Sequence, residues 1–248
     1  MMRAVGLLAM LLVWAVCPGQ PASAQTALGI YNGSGTLTLD DLQFSIDPGA
    51  VCQIKNGSSS HACTASDRLF LAPTTGPGAS VVIEALDTSN NPVPIFTFTC
   101  TTSGGCSTSH GVPTFDLSFS LDVQAVGAHT TITSLYQSIT GSVSPNTTAL
   151  QNDVHVGETA LTSTGTVLAT LNSTLANTSP STATFAAQTF LVIKKDLGLS
   201  INNIANGSTL ALNTVVQSFT PAPEPSSIAL LLAGLLGMRT ARRRRSRR

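Results

Sequence analysis

The chain has 248 residues with equal numbers of basic and acidic side chains, 12 of each. That balance hides an asymmetry: eight basic residues sit in two acid-free end segments, so residues 25–225 keep four basic residues against twelve acids, a net charge of −8. An acidic body excludes the basic surface that nucleic acid needs, and 61 Ser and Thr beside only 10% charged residues fit neither a charged disordered tail nor a typical cytosolic enzyme.

The first segment reads as a secretory signal. Arg3 supplies the positive region, Leu7–Val16 the apolar run, and Ala22-Ser23-Ala24 the small-x-small cleavage pattern. The expected cut lies before Gln25, so residues 1–24, a signal helix, leave with signal peptidase. The apolar run is short of the roughly 20 residues that a spanning helix needs.

The body, taken as residues 25–220, reads as β throughout. Leu37 and Leu39 alternate with Thr36 and Thr38; Val81, Ile83 and Ala85 share one side of a strand; Phe96, Phe98 and Cys100 alternate with threonines. The clearest strand is Phe115–Ala125, where six apolar positions alternate with Asp116, Ser118, Ser120, Asp122 and Gln124. A period of two means one buried and one wet face. Ile132–Ser142, Val154–Glu158, Thr162–Leu171, Thr182–Gln188, Phe190–Lys195 and Thr209–Phe219 continue the pattern, with a brief helix expected at Thr148–Asp153. Turn signals such as Asn32-Gly33, Asp47-Pro48-Gly49 and Asn206-Gly207 separate them. The fold class is therefore all-β, an antiparallel β-sandwich, with a split near 145–150 into two smaller β-domains as the alternative.

Cys17 leaves with the signal, and Cys52, Cys63, Cys100 and Cys106 remain. An even count in an exported chain predicts two disulfides, with Cys52–Cys63 and Cys100–Cys106 the favoured pairings because each closes a short polar loop. Their spacing does not suit structural zinc, so no metal site is assigned.

Few residues carry recognisable chemistry. No nucleophile elbow, zincin motif or phosphate loop occurs. His61, His110, His129 and His155 fall in loops or polar strands, and His155 with Glu158 reads as an accidental pair of exposed residues facing opposite sides of a strand. Asp40-Asp41 at a strand end is a candidate for calcium. Lys194-Lys195-Asp196 reads as a soluble strand end or an edge guard. No catalytic residue and no cofactor are assigned, and the expectation is a protein that is not an enzyme.

The last segment, residues 221–248, has three parts in order. Pro223-Glu224-Pro225 with Ser226 keeps the chain extended and then offers a helix cap. Ile228–Met238 is an apolar helix of about 17 Å, short for a membrane span. Arg239, Arg242, Arg243, Arg244 and Arg245 would hold its end on the cytoplasmic side. This ending resembles the PEP-CTERM sorting signal of Gram-negative bacteria, over about a tenth of the chain. The resemblance implies transient insertion in the inner membrane, recognition by an exosortase, removal of the tail, and delivery to the cell surface or to an exopolysaccharide (biofilm) matrix. The readings kept open beside it are a secreted module binding polysaccharide or calcium and, more remotely, a secreted hydrolase.

Overall fold

The computed structural model describes residues 27–223, apart from 32, 48–51, 57–58, 107–114, 128–129, 178, 200 and 202–203. The expected signal helix, the tail from Glu224 onward, His110 and His129 lie outside the described residues. Among the described residues no helix is long and apolar enough to cross a membrane.

The strands in chain order are β1 (Leu28–Gly29), β2 (Leu37–Leu39), β3 (Leu42–Ile46), β4 (Gln53–Asn56), β5 (Ser59–Ala62), β6 (Leu69–Pro73), β7 (Ala79–Leu86) and β8 (Pro92–Val93). They continue with β9 (Phe96–Thr99), β10 (Phe115–Ala125), β11 (Thr130–Ser144), β12 (Val154–Leu161), β13 (Val167–Thr174), β14 (Ser181–Gln188), β15 (Phe190–Leu199) and β16 (Thr209–Pro223). One short helix, α1, spans Thr148–Asp153, capped by the Thr147 side chain, which accepts from the Leu150 amide.

Two antiparallel sheets form the sandwich. The first has the order β1-β6-β7-β16-β11-β14, with β8 on β7 and β9 on β16; the second has β13-β12-β15-β10-β3-β2, with β4 on β10 and β5 on β4. Strands from both sides of residues 145–150 share each sheet, because β16 pairs with β7 and β9 while β10 pairs with β15. The two halves of the chain therefore share one pair of sheets.

Alternation sets which side chains meet in the middle. Leu117, Phe119, Leu121 and Val123 of β10 are buried, as are Leu191, Ile193, Leu197 and Leu199 of β15. They face Leu210, Leu212, Val215 and Phe219 of β16. Phe44 and Phe219 meet across the layers at 5.5 Å between ring centroids, and Phe96 and Phe115 at 4.5 Å. Contacts of this kind hold the layers together through apolar burial and dispersion.

Turn chemistry explains several details. Leu39 opposes Leu42 directly, so Asp40-Asp41 is a two-residue hairpin turn, and both residues have positive φ, 47° and 64°. That is the twist a tight hairpin requires, and Asp tolerates it better than most residues. The Asp41 carbonyl also accepts from the Val126 amide at 2.8 Å. The pair expected as a calcium candidate thus has a structural task.

Thr162–Thr166, expected as strand, is instead a turn. The Thr162 hydroxyl accepts from the Thr166 amide at 3.1 Å, and Gly165 has φ 83°. A short hydroxyl side chain offers the backbone this alternative to a ladder, and the strand starts at Val167.

Both disulfides form with the expected pairing, Cys52–Cys63 and Cys100–Cys106. The first closes the base of the β4–β5 hairpin, where the Cys63 amide donates to the Cys52 carbonyl at 2.9 Å. Just beyond it, the Asp67 carboxylate accepts from the Thr64 amide at 2.6 Å and from its hydroxyl at 2.8 Å, and lies 3.3 Å from His61. Burial opposes the charge on Asp67, but these hydrogen bonds outweigh it and hold its carboxyl below the usual carboxylate range. The second disulfide ties the end of β9 to a loop whose Cys106 bridges Ile204.

Candidate functional site

The most unusual chemistry lies inside the sandwich. Two polar pairs face one another across the core, one from each sheet. In the second sheet Glu158 of β12 lies directly opposite Lys195 of β15. In the first sheet Gln137 of β11 lies directly opposite Gln217 of β16. Lys195 and Glu158 are each 2% exposed, and both glutamines 0%.

This corrects two readings of the sequence. Lys195 is neither a strand end nor an edge guard: β15 runs four residues further, to Leu199, and is flanked on both sides, by β10 and β12. Lys194 and Asp196 face outward, as that reading needs, but Lys195 falls in phase with Leu191, Ile193 and Leu197. Glu158 is likewise not an exposed residue. It falls in phase with the buried Val154, Val156 and Ala160, while His155 lies on the other face as expected.

Every side-chain nitrogen and oxygen of these four residues has at least one hydrogen-bond partner. The Lys195 ammonium donates to Glu158 Oε2, to Gln137 Oε1 at 2.7 Å and to Gln217 Oε1 at 2.5 Å. Three donors thus meet three acceptors. Gln217 Nε2 donates to Glu158 Oε1 at 3.2 Å. Gln137 Nε2 turns the other way, to the Val156 carbonyl and to Ser173 Oγ, both at 3.0 Å. Lysine only donates, so both amides must turn their oxygens toward it.

Burial dominates the electrostatics. Loss of water pushes the Glu158 carboxyl up, against the lowering pull of Lys195. It pushes the Lys195 ammonium down, against the raising pull of Glu158. Both directions favour the neutral forms, which a dry interior solvates at lower cost.

A second group lies on the outer face of the second sheet. Asp196 of β15 lies near Asp116 of β10 and His155. Burial, then Asp116, raise the Asp196 carboxyl, while His155 opposes the rise. Asp122 is raised in the same way, by burial and by Asp47. A carboxyl raised in the fold contributes fully below its unfolded value, 3.8 here, and loses that contribution as pH rises through the folded value. Asp196→Asn is therefore expected to raise the melting temperature at pH 7 and to leave it nearly unchanged below pH 3.8. The gain is under about 1 kcal/mol because the side chain is partly solvated. Thermal melts at the two pH values check this, and equal shifts at both would contradict it.

Among the described residues no three His, Cys, Asp or Glu side chains converge to hold a metal ion. His61 pairs with Asp67, and the cysteines near it are bonded to each other. Two surface hollows flank α1, and of their lining residues only Asp153 is titratable.

No protein-family model matches the chain, and no curated protein matches it. Among solved structures, one similarity is to an arabinose-bound α-L-arabinofuranosidase, at 9% identity and a TM-score of 0.19, over 71% of this chain. The chain spans 27% of that protein's length.

Proposed function

We propose that the chain is an exported bacterial protein of the cell surface or extracellular matrix, sorted through its C-terminal segment and freed from it by an exosortase. The observation that carries this reading is the ordered ending, Pro223-Glu224-Pro225, then Ile228–Met238, then the arginines from Arg239 onward. Two disulfides support an oxidising destination outside the cytoplasm.

The role is structural rather than catalytic in this proposal. Outward strand faces carry Thr and Ser, which suit a β surface and keep it wet, and the dense polar cluster of the described residues is sealed from solvent. Signal peptidase and exosortase are the processing partners. Exopolysaccharide is the matrix partner, and nucleic acid is not one, given the acidic body.

The test is terminal sequencing and intact mass of the protein from its native host under non-reducing conditions. The expected result is loss of residues 1–24 and of the segment beyond the Pro-Glu-Pro motif. Retention of the whole tail in cell-surface material would overturn the sorting assignment.

A further inference from the structure

The buried cluster holds the parts of an acyl-transfer site. We infer that Lys195 and Gln217 join covalently, through an isopeptide bond between Lys195 Nζ and Gln217 Cδ, with Glu158 moving the protons. The inference does not depend on where the protein is delivered.

The geometry selects each role. The nucleophile is the Lys195 amine, 2.5 Å from Gln217 Oε1 and therefore next to the carbon that bears that oxygen. A desolvated amine held against a carbonyl is an activated nucleophile. The proton carrier is Glu158, which touches both nitrogens that must exchange a proton: Oε2 contacts Lys195 Nζ, and Oε1 accepts from Gln217 Nε2 at 3.2 Å. Gln217 is the acyl donor rather than Gln137. Gln137 also offers its oxygen to Lys195, but its amide nitrogen faces Val156 and Ser173, away from Glu158. Its leaving group would have no acid beside it. Gln137 instead positions Nζ.

The step balances without a cofactor. In the neutral form of the pair, which burial favours at both partners, the amine is free and the carboxyl holds a proton. The Nζ lone pair attacks Cδ of Gln217 to give a tetrahedral intermediate. Glu158 gives its proton to Nε2 and takes one from Nζ. The Cδ–Nε2 bond breaks, the carbonyl re-forms and ammonia leaves. Glu158 ends protonated, as it began, and nothing is oxidised or reduced. Proximity alone supplies much of the barrier lowering, because the reacting groups are held in one dry cavity and need not find each other.

The product would tie β15 of one sheet to β16 of the other. Neither disulfide does this: Cys52–Cys63 closes a hairpin of the second sheet, and Cys100–Cys106 a loop following β9 of the first.

The experiment uses the full chain, purified with its disulfides formed and shown to unfold cooperatively. It is digested and mapped by mass spectrometry. The expected result is a joined peptide pair containing Lys195 and Gln217, lighter than the sum of its parts by one ammonia, about 17 Da. Glu158→Gln preserves the shape at position 158 but cannot relay the proton, so the same digest should return linear peptides. Linear peptides from the folded parent protein would overturn the proposal. A link from Lys195 to Gln137, or to Glu158 with loss of water, would overturn the choice of acceptor, and a link persisting in Glu158→Gln would overturn the role of the carboxyl.

Discussion

Glu158→Leu is expected to lower the unfolding free energy by about 3–5 kcal/mol at neutral pH, because it leaves Lys195 in the core without the carboxyl that pairs with it. The cost falls where that lysine gives up its proton. The folded pKa of Lys195 is depressed by burial below 10.5, and in this variant no carboxylate raises it again. Between the folded and unfolded values the unfolded chain holds more protons, so stability rises with pH, by up to about 1.4 kcal/mol per unit.

Lys195→Met should lose a similar amount at neutral pH with the opposite slope. Burial holds the Glu158 carboxyl above 4.5, so the folded state binds the extra proton. Its contribution is whole below that value and is lost as pH rises through the folded one. Lys195→Met therefore recovers toward acid and Glu158→Leu toward alkali. Urea midpoints of the two variants across the pH range check this, and parallel profiles would show that the pair is not buried as described. Both variants lack the proposed bond, so the contrast between them does not depend on it.

The second large effect concerns the disulfides. Replacing Cys52 and Cys63 by serine is expected to remove about 3 kcal/mol, the loop-entropy value for a bridge closing some twelve residues. Cys100–Cys106 closes a shorter loop, with a separation of 6, and is worth about 2 kcal/mol. Together they amount to a large fraction of the roughly 5–15 kcal/mol by which domains are stable. Reduction of both should lower the melting temperature by about 10–20 °C for a body of this size. Melts with and without a thiol reductant measure it. An unchanged melting temperature after verified reduction would remove the disulfides as a reason for an oxidising destination.

Strands with unbroken alternation are legible in the amino-acid sequence itself. Phe115–Ala125 is one strand with the expected bounds, and the helix Thr148–Asp153 also falls where expected. The two cysteine pairings are legible because short polar loops leave little choice. The polar cluster is not, although half of its signal is present. Leu191, Ile193, Leu197 and Leu199 share a phase, and carrying that phase across Lys194-Lys195-Asp196 places Lys195 inward. A doubled lysine followed by an acid has the local character of a strand end, and that character masks the longer period. Glu158 is masked similarly, by its spacing from His155. The other half has a weaker signal. Gln137 falls in phase with Leu135 and Ile139, and Gln217 with Val215 and Phe219, but Tyr136 and Val216 put apolar residues on the opposite face as well. The meeting of the two glutamines with Lys195 depends on how two sheets stack, which no local pattern encodes.

The place of β16 has a consequence for how the molecule assembles. It lies between β7 and β11, which end at Leu86 and begin at Thr130 and pair with it but not with each other. As the chain emerges from its N-terminal side, both strands wait with bare hydrogen-bonding edges until residues 209–223 arrive. The first sheet cannot close gradually; it closes late, around one strand, through contacts far apart in sequence, and topologies of that kind fold slowly. On the proposed route across a membrane, late closure would be an advantage, since the core would not set before the extended chain is through. The same delay leaves two unpaired edges open to neighbouring chains, the condition in which β-proteins aggregate.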